Sequence, residues 1–382
     1  MKPLKVLVSG NTLFSLWKFR RSFMLDLVRA GHEVHASAGE KDDAFETGSL
    51  LTEMQAAGVV FHALPLSRSG LNPVSDLRYF FAYLKLCKRV KPDVVFNYTI
   101  KPVIWGSLAA ALSNIGRVYS MITGLGYAYT GTAPKHRILQ TVIGALYRMA
   151  LPFNRKVVFQ NSDDRNLFLK RSYVAPSQTA LVAGSGIEIT EFPFSPLPTS
   201  RPFRFVCVAR MLKDKGILEL IEACDLLKAQ GLPFECLLVG GTDANNPASI
   251  SEETLLAAQA AGKVRWLGRQ SKIAEILSEA HVFVLPSYRE GTPRSTLEAL
   301  SIGRPVLSTD APGCRETVNS SNGVLVPVQD ASALAQAMKT FMEFSQEQLE
   351  HMGTASRAMA EKTFDVAKVN GDLFELMNLK RT

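Results

Sequence analysis

Long hydrophobic runs are scarce in this sequence. The longest apolar window, about Val103 to Leu112, is roughly half of what a bilayer-spanning helix needs. The opening apolar run, Val6-Leu7-Val8, is too short for the core of a signal peptide and ends in a glycine turn. Cysteine is sparse too. Cys87, Cys207, Cys224, Cys236 and Cys314 are scattered and form no CxxC pair, which argues against a disulfide framework or a zinc site and fits a reducing cytosol. No Asp-x-Asp triplet is present to hold a divalent ion against a diphosphate, and the six histidines are isolated in sequence. The first strand-to-helix turn, Val8-Ser9-Gly10-Asn11, lacks the later glycines of a GxGxxG fingerprint, which weakens a dehydrogenase reading.

What is present is a globular composition, 47% hydrophobic and 20% charged, in a chain of 382 residues, long enough for two domains. The net charge of +8 is unevenly placed. Residues 1–190 hold 23 Lys and Arg against 12 Asp and Glu, whereas residues 191–382 hold 20 against 23. An excess confined to one half points either to an anionic partner for that half or to plain solubility charge.

Short apolar runs alternate with amphipathic stretches. Strands are predicted at Leu4–Val8, Glu33–Ser37, Val59–Leu64, Asp93–Asn97, Arg117–Met121 and Lys156–Gln160, with helices clearest at Lys18–Ala30, Val74–Val90, Lys101–Leu112 and His136–Met149. Glu191–Arg204 contains four prolines and little periodicity, so it reads as a linker. The alternation then restarts, with strands at Phe205–Ala209, Glu235–Val239, Val264–Leu267, His281–Leu285 and Pro305–Ser308. Helices Asp330–Phe344, Gln346–Lys362 and about Val366–Leu379 follow. The fold class is therefore α/β, with two doubly wound parallel-sheet domains over 1–190 and 205–365, a linker at 191–204, and a last helix over about 366–382 packing back on the first domain. Such a pair predicts a cleft between domains, lined by loops that follow strands.

Those loops carry the chemistry. Arg210 leaves one predicted strand end and Lys215 lies at the following helix entry, a pair of cations suited to a diphosphate. The next candidate is Pro286-Ser287-Tyr288-Arg289-Glu290-Gly291-Thr292-Pro293-Arg294-Ser295-Thr296-Leu297-Glu298, following the buried run Val282–Leu285. Pro293 favours a helix start, Gly291 allows close backbone approach, and amides near Thr296 and Leu297 are expected to meet a phosphate. Glu298 suits the vicinal hydroxyls of a ribose and Glu290 those of a hexose. In the first half, Trp17-Lys18-Phe19-Arg20-Arg21 is aromatic and basic, suited to an acceptor phosphate or lipid headgroup or simply to a solvated helix start.

The segment from Glu290 to Glu298 closely resembles the donor-site motif of retaining glycosyltransferases of family 4, which have the GT-B fold of two Rossmann-like domains. The Arg210–Lys215 spacing, Leu238-Val239-Gly240-Gly241 and Trp266-Leu267-Gly268 match in order, so the resemblance covers essentially the second half. It implies that Arg210 and Lys215 bind the donor diphosphate, that Glu298 holds the ribose and that Glu290 contacts the transferred sugar. Donor contacts are further implied at Gly10, Gly240, Gly268 and along Gly291, Thr292, Pro293, Arg294, Ser295, Thr296 and Leu297. Shorter matches at Phe19-Arg20, Ser67-Arg68-Ser69-Gly70-Leu71-Asn72-Pro73, Gly124-Leu125-Gly126 and Val239-Gly240-Gly241-Thr242-Asp243 are similar to a subgroup that adds N-acetylgalactosamine or related hexoses to undecaprenyl-diphosphate-linked sugars.

The resemblance implies front-face attack with retention, no cofactor and no metal, a UDP-sugar donor, and a polyprenyl-diphosphate-linked acceptor. Many family members place a histidine near the transferred sugar. The corresponding loop here, Thr123-Gly124-Leu125-Gly126-Tyr127, has none, which leaves Arg20, Thr123, Gly124 and Tyr127 as acceptor-side candidates. A cytoplasmic protein resting peripherally on the anionic inner membrane accounts for the basic half, with Val74–Lys91 and Lys135–Lys156 as helices that either lie on the membrane or pack on the sheet. A nucleotide-sugar 2-epimerase of the same architecture and a transferase with a soluble acceptor are the alternatives. Nucleic-acid binding ranks low because the basic residues ride on helices.

Overall fold

The computed structural model describes residues 3–39, 47–66, 72–126, 129, 134–243 and 246–380. The chain divides into two compact units. The first comprises Met1–Ser185 with Lys368–Thr382, and the second comprises Gly186–Ala367.

Unit 1 contains strands β1 (Lys5–Thr12), β2 (Glu33–Gly39), β3 (Val59–Leu64), β4 (Val94–Tyr98), β5 (Val118–Ile122), β6 (Lys156–Phe159) and β7 (Thr179–Leu181). Its helices are α1 (Leu13–Arg29), α2 (Thr47–Ala56), α3 (Pro73–Val90), α4 (Ser107–Leu112), α5 (Pro134–Ala150) and α6 (Ser162–Lys170). All pairings are parallel, in the order β3-β2-β1-β4-β5-β6-β7. Val6 and Val8 join one core with Phe23 and Met24 of α1, while Leu7 between them joins another with Tyr79 and Tyr83 of α3. A strand buried on both faces must read as an uninterrupted apolar run, and this one does. The predicted helix Lys101–Leu112 is divided: Pro102–Gly106 is a π-helical turn and α4 begins only at Ser107. Pro102 brings no amide to the ladder, and Asn97 packs against Gly106 where any Cβ would collide.

Unit 2 contains β8 (Phe203–Val208), β9 (Phe234–Val239), β10 (Arg265–Trp266), β11 (Val282–Leu285), β12 (Val306–Thr309) and β13 (Gly323–Val326). Its helices are α7 (Ile217–Ala229), α8 (Glu252–Ala260), α9 (Ile273–Ser278), α10 (Arg294–Ile302), α11 (Ala331–Glu343) and α12 (Gln346–Met359); α13 (Val366–Leu376) follows. The sheet is parallel, ordered β10-β9-β8-β11-β12-β13. The proline-rich segment is stitched to this unit. Fully buried Arg304 donates to the carbonyls of Ser195 and Pro196, and Arg357 donates to that of Phe192.

The chain ends in unit 1. Val369, Leu373 and Met377 enter the core under β1, Phe374 meets Phe23 edge-on at 5.6 Å, and Asn370 donates to Asp26 at 2.7 Å. In both sheets the strand order reverses at one place, between β1 and β4 in unit 1 and between β8 and β11 in unit 2. At such a reversal the loops leaving the two central strands diverge to opposite faces and open a crevice beyond their carboxyl ends.

Candidate active site

In unit 2 the two loops at that reversal are the ones singled out in sequence. After β8 the chain runs through Arg210 to a 3₁₀ turn, Lys213–Lys215, and then into α7. After β11 it runs through Ser287 and Glu290 into α10. Gly216, at φ +69°, joins them, since a Cβ there would collide with the Pro286 carbonyl. The Tyr288 amide donates to the Asp214 carbonyl at 2.9 Å, which fastens one loop to the other.

Lys215 Nζ and Glu290 Oε1 form a direct ion pair with both side chains largely buried, and Ser287 Oγ donates to the same carboxylate oxygen at 2.8 Å. The two residues assigned to different parts of a donor thus hold each other. A second pair spans one helical turn, Arg294 Nε to Glu298 Oε1 at 3.1 Å, with the Glu298 side chain 6% exposed. A third, Arg210 Nη1 to Asp243 Oδ2 at 3.0 Å, keeps Arg210 half exposed while Asp243 is mostly buried. Charges fixed in this way are oriented before a ligand arrives, and in a partly desolvated loop they act more strongly on an incoming anion than in water.

The helix start differs from expectation in two details. Pro293 occupies the cap position rather than the first helical one, and it supplies no side-chain cap. The amides of Thr296 and Leu297 both donate to the Pro293 carbonyl, at 3.0 and 3.3 Å, so they are spent on the helix itself. The amide of Ser295, one residue earlier, has no helical carbonyl four residues back, so a turn able to meet an anion would lie closer to the loop. Thr296 Oγ1 is buried with no hydrogen-bond partner among the described residues.

Gly240 and Gly268 lie beyond β9 and β10. The Gly240 amide donates to the Gly268 carbonyl at 2.8 Å, and Trp266 Nε1 donates to the Gly240 carbonyl at 2.8 Å. They lock the two loops together. Several supporting residues carried no signal in the sequence argument. The Glu290 amide donates to the Pro312 carbonyl at 2.9 Å, and Gly313, at φ +83°, packs where any Cβ would strike the Glu290 backbone. Tyr288 donates its hydroxyl to Glu219, and burial together with that carboxylate pushes the phenol up to about 12. Asp243 was visible only as the end of a motif.

Gly10, Arg20, Thr123 and Gly124 belong to unit 1. Gly10 lies in β1, where a Cβ would come 3.0 Å from the Tyr98 ring. Arg20 is 1% exposed, so a solvated helix start does not describe it; its guanidinium lies 5.1 Å from the Tyr98 ring centre, with Nη2 2.6 Å from Met121 Sδ. Thr123 and Gly124 follow β5, Gly124 at φ +111°. Tyr127 lies outside the described residues, as do Ser67–Leu71 of the quoted motif. The histidines are not all isolated: His35 Nδ1 and His62 Nε2 are 2.9 Å apart, with the rings stacked.

Two family models match, one in each half. Residues 25–161 match "Glycosyl transferase 4-like" and residues 202–343 match "Glycosyl transferases group 1". The chain is 28% identical to the N,N'-diacetylbacillosaminyl-diphospho-undecaprenol alpha-1,3-N-acetylgalactosaminyltransferase of Campylobacter jejuni, over 81% of this chain and 84% of that one. It is 24% identical to the UDP-Gal:alpha-D-GlcNAc-diphosphoundecaprenol alpha-1,3-galactosyltransferase of Escherichia coli, over 77% of each. Among solved structures, the sucrose-phosphate synthase of Thermosynechococcus elongatus superposes with a TM-score of 0.79 at 19% identity, over 98% of both chains. With these matches in both halves and the two parallel sheets, the chain is a glycosyltransferase of family 4 with the GT-B fold.

Proposed function

We propose that this enzyme transfers a hexosamine or hexose, with N-acetylgalactosamine the first choice, from a UDP-sugar to a saccharide carried on a polyprenyl diphosphate, with retention and without a metal. The observation that carries the reading is the pair of loops at the strand reversal of unit 2. They assemble Lys215, Glu290, Arg210 and the α10 start on one edge of one sheet. Undecaprenyl-diphosphate-linked sugars are named for both relatives above, and a UDP-sugar for one of them, which supports the same substrate classes here.

In this reading the uridine diphosphate sits over the amino end of α10, with Glu298 accepting from the ribose hydroxyls and Arg210 and Lys215 on the phosphates. The acceptor hydroxyl attacks the anomeric carbon from the face that the diphosphate leaves. The bond from that carbon to the phosphate oxygen breaks as the bond to the acceptor oxygen forms, and the departing phosphate takes the hydroxyl proton. Negative charge grows on the diphosphate, where the two cations and the helix dipole meet it.

The enzyme reaches its lipid-borne acceptor from an anionic membrane surface through the layer formed by α3, α4 and α5. Leu77 and Phe81 on α3, Leu112 on α4, and Ile138, Val142 and Phe153 on or just after α5 are exposed. Their helix neighbours Phe80, Leu84, Leu139 and Leu146 pack inward, which separates a docking stripe from a core stripe. Arg78, Lys85, Arg137, Arg148 and Arg155 are exposed on the same helices and at the end of α5, and residues 94–162 contain no Asp or Glu. Among the described residues no helix is long and apolar enough to cross a membrane.

The test is purified protein with a UDP-sugar panel and a short-chain lipid-diphosphate saccharide in EDTA, the anomeric configuration of the product being read by NMR. Transfer with retained configuration is expected. Transfer only to a free sugar, inversion, or full dependence on added metal each removes the corresponding part. Co-sedimentation with anionic but not zwitterionic vesicles, reduced in Ile138→Asp/Phe153→Asp, checks the membrane face.

A further inference from the structure

The reversal point of unit 1 repeats the geometry that unit 2 uses, and the residues there have no role so far. β1 and β4 are its central strands, paired up to Ser9 opposite Asn97. Two residues beyond that pair stand Asn11 and Thr99, and the backbone is irregular at both places. On β1 the register against β2 runs from Ser9↔Ser37 to Thr12↔Gly39, so Gly10-Asn11 carries one extra residue, a bulge. Bulges re-aim a side chain out of the ordinary pleat. Just after β4, Thr99 sits at φ +73°, a left-handed conformation that a β-branched residue rarely adopts.

Both residues also present polar atoms with nothing to bind. Asn11 Oδ1 and Thr99 Oγ1 are buried, and neither has a hydrogen-bond partner among the described residues. A strained backbone and an orphaned polar atom each cost stability, and sequence drift towards alanine or glycine would relieve both. Two such costs on adjacent strands, at the one place where an open α/β sheet admits a ligand, have a common explanation in a ligand. Beside them lie the wall made by Tyr98 and Gly10 and the buried guanidinium of Arg20 stacked on Tyr98.

Resting on the transferase reading above, we infer that Asn11 and Thr99 bind and position the terminal sugar of the acceptor at the β1–β4 crevice. The chemistry fits a neutral polyol or an acetamido sugar. Asn11 Oδ1 accepts from a hydroxyl or an amide N–H, and Thr99 Oγ1 both donates and accepts. Asn11 Oδ1 does not suit a phosphate, since a carbonyl oxygen repels an anion, and the pair therefore favours a neutral ligand over an anionic one. These are positioning residues for the acceptor, and the donor remains with unit 2.

The test compares Asn11→Ala, Thr99→Gly and Thr99→Asn with wild type in steady-state transfer, varying donor and acceptor separately. Asn11→Ala and Thr99→Gly should each raise the acceptor KM about tenfold, the size of one hydrogen bond left unmade, while the donor KM moves less than about twofold. Thr99→Gly should keep the thermal midpoint at or above wild type, because glycine takes φ +73° without strain. Thr99→Asn, polar and tolerant of that conformation, should recover part of the loss. An unchanged acceptor KM, or a rise in donor KM instead, overturns the assignment. Should wild type transfer nothing to any lipid acceptor, the proposed function falls, and saturation-transfer NMR with methyl hexosaminides in the presence of UDP decides the crevice by itself. Signal lost in Asn11→Ala supports it; no signal in wild type, or equal signal in both, overturns it.

Discussion

Glu298 and Lys215 have different parts in the proposed donor site, and substitution separates them. Glu298→Gln keeps the side-chain shape but loses the charge on the proposed ribose contact, so the donor KM should rise about tenfold, with the thermal midpoint little changed. Glu298→Ala also strips Arg294 of its partner at 3.1 Å, and should lower both donor affinity and thermal midpoint. An unaltered donor KM in both variants would take Glu298 out of the site. In the proposed reaction Lys215 meets a diphosphate whose negative charge grows as it departs, so Lys215→Met should reduce kcat about 100-fold or more with a smaller change in donor KM. The pairs themselves were only half legible in the sequence. Lys215 and Glu290 were visible as separate candidates because each lies in a loop between a strand and a helix, but 75 positions separate them and nothing in either motif says that they touch. Thr296 and Leu297 were misread for a simpler reason. Where α10 begins decides which amides are spent, and a helix start is uncertain by a residue or two from sequence.

At the level of elements, the strand-end loops work because glycines let them interlock. Gly216 needs both a left-handed backbone and the absence of a Cβ against Pro286. Gly216→Ala should therefore cost more than the roughly 1 kcal/mol of a simple left-handed alanine, and it should loosen Lys215 from Glu290. Thermal denaturation together with donor titration checks this, the expectation being a lowered midpoint and a weakened UDP affinity in the same variant. A loss in stability with unchanged UDP affinity would mean that the interlock does not position the loop. The central strands β1, β4, β8, β9 and β11 were legible because burial on both faces requires unbroken apolar runs. Of the edge strands, β3 and β10 were legible as apolar runs, and β7 and β13 were not. β7 is three residues long and β13 four, each too short to show a period, and α2 and α6 have mixed patterns. The break inside Lys101–Leu112 was half legible: Pro102 stands in the sequence, but the packing of Asn97 against Gly106 is tertiary.

Taken as a whole molecule, the chain has an acid sensitivity built into both units. In unit 1, Arg89 Nη2 donates to His62 Nδ1 at 3.1 Å, His62 Nε2 faces His35 Nδ1 at 2.9 Å, and His35 Nε2 faces Glu33 at 2.9 Å. Giving each contact one proton leaves His62 neutral, its Nδ1 accepting from Arg89 and its Nε2 donating to His35. A proton added to His62 would have to face Arg89. Burial first, then the charges of His35 and Arg89, lower His62 to about 4. In unit 2, His281 stacks on Phe203 and accepts the Arg204 amide at 3.0 Å; burial first, then Arg201, brings it also to about 4. An unfolded histidine titrates near 6.5. Between that value and about 4 the unfolded chain therefore binds more protons than the native one. Stability must be complete above about pH 6.5 and decline as the pH falls towards 4. Thermal midpoints should accordingly be flat from pH 8 to 7 and drop steadily to pH 5. His62→Gln should lessen that drop, as should His281→Asn, which keeps an acceptor for the Arg204 amide. Since the two histidines belong to different units, the double variant should recover the sum of the two single effects. A midpoint that is pH-independent in wild type, or a double variant no flatter than wild type, would show that neither histidine is held neutral by the fold.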